Sequence, residues 1–152
     1  MLDYLTRTDG SPVVYLLRAW ITVIAGTIVC VLLASLVLPS PDAPEPEADT
    51  KGVAVILLVF WPLVATGLIQ LATLLARRLA PTYWHAAAAT AFAFAFGLGL
   101  VGGPVVGVVY AWPFFIYAIV FLAWQLRSDL HGWVMTLALQ VMVNLLPALF
   151  LK

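Results

Sequence analysis

The sequence predicts an all-α fold, a polytopic transmembrane helical bundle with five spans. Three observations carry that prediction. Hydrophobic residues make up 64% of the 152-residue chain and charged ones only 9%, whereas an ordinary soluble domain is about 25% charged. Mean hydropathy is +1.10. Apolar runs of the length needed to cross a hydrocarbon core, about 20 residues, recur along the chain and are separated by prolines, glycines and basic residues.

The first run, 13–38, has Arg18 and Trp20 near its start and stops at Pro39. A signal-peptide core is only about 7–15 residues long, so this run reads as a retained first span behind a short N-terminal segment, 1–12. Residues 39–52 form an acidic, proline-rich connector containing Asp42, Glu45, Glu47 and Asp49. Such a composition has little to bury and stays solvated; a docking strip for a cationic partner is the alternative reading. The remainder, 53–151, reads as a four-helix membrane core. Its second run, 53–76, closes on Arg77-Arg78, and its third, 82–100, closes on Val101-Gly102-Gly103-Pro104. The fourth, 105–126, closes on Arg127-Ser128-Asp129-Leu130-His131, and the fifth is 132–151. Because a Gly-Gly-Pro turn is short, the third and fourth runs should pair as a tight antiparallel hairpin. One broken or re-entrant element, giving four spans, is the alternative.

Basic residues near span ends favour the cytoplasmic side. Arg7 and Arg18, then Arg77-Arg78, then Arg127 alternate as five spans require. The expected setting is a bacterial-type inner membrane, with the N-terminus cytoplasmic and the C-terminus extracytoplasmic. Trp84, Trp124 and Trp133 then fall near the cytoplasmic interface, where amphipathic rings prefer to sit.

Composition also argues against several functions. Net charge is zero and the seven Lys and Arg are dispersed, so nucleic acid has no basic patch to bind. Cys30 stands alone and supports neither an internal disulfide nor a cysteine metal site. From Asp49 to Asp129 no Asp or Glu intervenes, although an ionisable residue within the membrane is the usual mark of a pump, relay or intramembrane hydrolase. The spans show no internal repeat that would point to a transporter's central site.

The polar residues that remain are neutral. Gln140 and Asn144 are four apart and share a helix face with Thr136 one turn away. Thr66, Gln70 and Thr73 on the second run are the expected partners for interhelical contacts, each contributing about 0.6–2 kcal/mol. Neutral amides have no proton to exchange near pH 7 and cannot act as general acid or base. The third run is rich in Ala and Gly, which let helices approach closely, so it is expected to sit centrally. Gly99, Gly103 and Gly107 have GxxxG spacing that Pro104 interrupts. Phe92 and Phe96 share one face, with Phe94 pointing elsewhere. His85 and His131 fall at run ends, where capping or snorkelling is the plain reading. Metal, haem or chlorin ligation is the alternative, and a metal would need a third ligand, for which Asp129 is the only nearby carboxylate.

Residues 60–148 resemble the membrane core of the CPBP family (CAAX proteases and bacteriocin-processing enzymes). The resemblance is carried by Pro62-Leu63-Val64-Ala65-Thr66-Gly67-Leu68-Ile69-Gln70, the basic turn with Pro81 and Trp84, Phe96-Gly97-Leu98, and the stretch from Trp124 to Asn144. It implies EExxxR on one helix, FxxxH on the next and HxxxN on the last. Here the glutamates fall on Ala65 and Thr66, the arginine on Gln70, the FxxxH histidine on Leu100, and HxxxN on Gln140 and Asn144. Only Phe96 and Asn144 keep the family's letters. In that chemistry a glutamate activates water and histidines stabilise the oxyanion; Ala65 takes no proton and Leu100 donates no hydrogen bond. The resemblance therefore implies the fold and argues against the reaction.

The expected function is that of a non-catalytic inner-membrane protein, a CPBP-like pseudo-protease scaffold or accessory subunit. Its partners would be the lipid bilayer and another integral membrane protein or a second copy of itself. Nothing calls for a cofactor or a metal. One competing reading is a protease working through Asp129 and His131. Another is an accessory subunit of a pigment or respiratory complex.

Overall fold

A computed structural model describes residues 2–38, 50–80 and 82–149, with the side chains of Thr50 and Lys51 outside that set. The acidic part of the connector, 39–49, lies outside the described residues, as does its proposed docking role. Five helices are long and apolar enough to cross a membrane, and among the described residues there is no strand. The chain is an all-α bundle and a multi-pass membrane protein.

Local sequence sets each boundary. Helix α1, Pro12–Val37, begins with a proline, whose missing N–H is one that a first turn leaves unpaired anyway. The second span is interrupted: α2, Thr50–Val55, passes through a π-helical turn, Ile56–Phe60, into α3, Trp61–Leu79. Pro62 explains the interruption. A proline inside a helix removes one donor and its ring crowds the carbonyl four residues back, here that of Leu58. Widening the preceding turn lets the Trp61 N–H reach the Ile56 carbonyl, five residues back. Helix α3 ends on Arg77 and Arg78, which favour the negative end of a helix dipole.

Helix α4, Tyr83–Gly102, starts at Thr82, whose side chain accepts from the His85 N–H. It stops at Gly103, whose φ of +88° is easy for glycine alone. Helix α5, Pro104–Gln125, follows at once, so α4 and α5 form the antiparallel hairpin. Helix α6, Asp129–Leu149, begins three residues before the expected 132. Ser128 is the reason: its hydroxyl accepts from the His131 N–H at 3.2 Å and caps the helix.

The central helix is α5, which corrects the placement of the third run at the centre. In its most apolar stretch 56% of residues are buried, against 22% in α4 and 11% in α1. Lipid is as apolar as leucine, so hydrophobicity does not choose the buried helix and packing does. Helix α4 uses its small residues on one side only, leaving Phe92 73% and Phe96 60% exposed as a stacked pair. Phe94 turns the other way and stacks on Phe114 at 4.0 Å between centroids.

Three close approaches hold α5 in place. Gly107 lies against α4, where an added Cβ would sit 2.6 Å from the Ala95 carbonyl oxygen and 3.1 Å from the Gly99 Cα. Gly99 and Gly107 thus serve one intramolecular crossing that spans the turn. On α1, Gly26 lies directly beneath the Trp112 ring, and Trp112 Nε1 donates to the Thr22 carbonyl at 2.9 Å. On α6, a Cβ at Gly132 would be 3.0 Å from the Phe121 carbonyl oxygen.

The end of the bundle that carries the basic turns is closed by the N-terminal segment. A 3-10 turn, Asp3–Leu5, buries Leu5 completely. The Tyr15 hydroxyl donates to the Leu5 carbonyl at 2.6 Å, and Arg127 donates to the Thr8 carbonyl. The Arg127 guanidinium also sits 4.8 Å from the Trp124 ring centre. Trp124 is fully buried there, edge-on to Tyr15 and stacked with His131.

Candidate functional site

The neutral polar residues of the second span and α6 meet along one seam. At its middle Gln140 Nε2 donates to Thr66 Oγ1 at 2.8 Å, with both side chains buried. Toward the basic end Trp133 Nε1 donates to Gln70 Oε1 at 2.7 Å. Toward the glycine end Asn144 Nδ2 donates to the Leu57 carbonyl at 2.8 Å. Trp133, Gln140 and Asn144 recur at spacings of seven and four, which is one helix face.

The Leu57 contact follows from Pro62. In the π-helical turn, carbonyls look for donors five residues on, and the residue five beyond Leu57 is Pro62, which has no N–H. A buried carbonyl without a donor costs roughly 1–3 kcal/mol. The Asn144 amide supplies the missing donor from another helix.

Two expected members make no bond across the seam. The Thr73 hydroxyl turns back to its own helix and reaches the Ile69 carbonyl at 2.7 Å and the Gln70 carbonyl at 3.0 Å, the local bond that short hydroxyl side chains favour. Thr136 is buried between Trp133 and Gln140, and its hydroxyl has no partner among the described residues.

The six positions aligned with the CPBP motifs separate into two groups. Ala65 and Thr66 are buried on α3, and Gln70, Gln140 and Asn144 take part in the seam. Leu100 does not join them. It is 72% exposed and lines a groove between α4 and α5 with Phe96, Pro104 and Gly107. The reason is helical rotation: Gly99 packs against Gly107 of α5, and the next residue along a helix points about 100° away from that contact.

The imidazoles and Asp129 at the basic end act as helix-end groups. His85 Nδ1 bonds the Thr82 hydroxyl, and His131 Nδ1 is 2.7 Å from Ser128 Oγ. Both histidines are thus third residues after a capping hydroxyl. Asp129 accepts from Gln125 Nε2 at 2.8 Å, and Gln125 Oε1 accepts from Arg77. Asp129 and His131 are each engaged by a different neighbour. Among the described residues no three His, Cys, Asp or Glu come together as a metal would require.

Next to the seam, α1, α3, α5 and α6 surround a cavity of about 250 Å³. Gln140 and Asn144 form its polar wall, and Trp61, Phe114 and Tyr117 form much of the rest. Sequence reasoning missed Trp61, Tyr117 and Trp133 as members of this region. For Trp133 the signal was present, since it lies seven residues before Gln140. For Tyr117 none was, because its role depends on α5 being central. Comparison with family models, curated proteins and solved structures finds no match.

Proposed function

We propose that this chain is a non-catalytic protein of a bacterial-type inner membrane, a CPBP-like core kept as a scaffold that packs against another membrane protein. The observation that supports this reading best is the Gln140–Thr66 hydrogen bond, buried at 2.8 Å. It joins two of the positions where the resemblance implies a glutamate and a histidine, and it joins them with neutral groups. Such a pair gives stability without desolvating charge, which would cost several kcal/mol per ion. It offers no proton acceptor of the kind that activates water for hydrolysis. The orientation that goes with this reading places the N-terminus and both basic turns in the cytoplasm.

The packing role rests on α1. It is a 26-residue helix whose outward face, with Val13, Ile21, Ile28, Leu32 and Leu36 exposed, must be covered by lipid or by a partner. Extraction in mild detergent followed by native mass spectrometry tests the role. The expected result is a stoichiometric complex with a second membrane polypeptide. A stable, solitary monomer under the same conditions overturns it.

A further inference from the structure

The cavity beside the seam has a chemistry of its own. We infer that it binds an uncharged, lipid-soluble molecule whose aromatic-sized head carries a hydroxyl donor. The inference goes beyond the scaffold reading and does not depend on the CPBP resemblance.

The wall offers both acceptors and donors. Gln140 uses one amide N–H on Thr66 and Asn144 one on Leu57, which leaves each amide oxygen, with two lone pairs, and one N–H at a wall that both residues line. Two helix-interior prolines, Pro113 in α5 and Pro147 in α6, also line the space. Each removes the N–H that would serve the carbonyl four residues earlier. Those carbonyls belong to Val109 and Val143, and both residues line the cavity.

The Tyr117 side chain supplies a second, independent observation. It is only 5% exposed, and its hydroxyl has no hydrogen-bond partner among the described residues, nor is it one of the polar atoms sealed away from all space. A buried hydroxyl is normally paired, so this one opens on the cavity and awaits a partner there. Its ring packs edge-on to Phe114 at 5.7 Å, and Trp61 adds a further aromatic surface.

No charged residue lines the cavity. A charged ligand would lose its hydration with no counter-charge to replace it. A neutral head with a hydroxyl donor meets every demand: its proton goes to an amide or proline-freed carbonyl, its oxygen accepts from Tyr117, and its ring lies among aromatic side chains. Pockets with mainly apolar walls and a few convergent polar groups are the usual form of small-molecule sites.

The test uses the full chain in proteoliposomes and reads tryptophan quenching by 4-bromophenol, with 4-bromoanisole as the analogue lacking a donor. The expected result is saturable quenching by the phenol and binding of the anisole about tenfold weaker, the size of one lost hydrogen bond. Tyr117→Phe, which removes a hydroxyl with no partner among the described residues, should weaken the phenol about three- to tenfold. Thr27→Phe should abolish saturation by filling the space; the Thr27 hydroxyl bonds only within its own helix, to the Val23 carbonyl. Quenching that rises linearly for both probes, equal affinities for the two, or binding unchanged in both variants would overturn the inference and leave the cavity to water or acyl chains.

Discussion

Thr66 and Gln140 carry the argument at the scale of single residues. A buried amide in hydrocarbon is tolerated when it has a partner, and the net gain is modest because the unfolded chain in the membrane also finds partners. A double-mutant cycle of Thr66→Val and Gln140→Leu, followed by unfolding in bicelles, should return a coupling of about 0.6–1.7 kcal/mol. Asn144 allows a sharper prediction. Asn144→Leu should destabilise by about 1–3 kcal/mol because it orphans the Leu57 carbonyl. In a Pro62→Ala background, residue 62 regains an N–H for that carbonyl, and the same substitution should cost clearly less; an equal cost in both backgrounds would refute the link. Spacing on one face made Thr66, Gln70, Gln140 and Asn144 legible as residues needing partners. Their bond lengths and directions were not legible. Nothing in a residue list says that Thr73 turns to its own helix, or that a π turn exposes Leu57.

At the scale of elements, run length and breakers located the helices to within a few residues. Pro12, Gly103-Pro104 and the capping hydroxyls at Thr82 and Ser128 each act through local backbone chemistry that a sequence displays directly. The order of burial is a different matter. The most apolar helix in lipid has no reason to be the innermost, so α5 is central because Gly26, Gly107 and Gly132 let three neighbours close on it. Gly107→Leu should therefore cost about 1–3 kcal/mol through overpacking. Gly97→Leu, on the same helical hairpin but with nothing within 4 Å of an added Cβ, should stay within about 0.5 kcal/mol. Thermal unfolding of the two variants in one detergent compares them directly, and similar losses would remove α5 from its central role.

For the whole molecule, five spans and the alternation of basic turns fix a predicted orientation. In a Cys30→Ser background, Val101→Cys at the glycine end should react with an impermeant maleimide added to intact cells. Leu126→Cys at the basic end should react only after the membrane is opened. Both side chains are well exposed in the bundle, so access depends on the membrane and not on packing. The reverse pattern would invert the topology. Function was the least legible level, because this chain is informative mainly through residues it lacks, and a neutral seam looks the same from sequence whether it binds a ligand or only joins helices.

Whether the seam is structural or chemical decides the account, and peptide hydrolysis by the purified protein in proteoliposomes measures it most directly. The wild-type chain should hydrolyse peptide no faster than empty liposomes. Turnover by the wild type that Thr66→Val or Gln140→Leu abolishes, with both variants still folded, would contradict the scaffold reading.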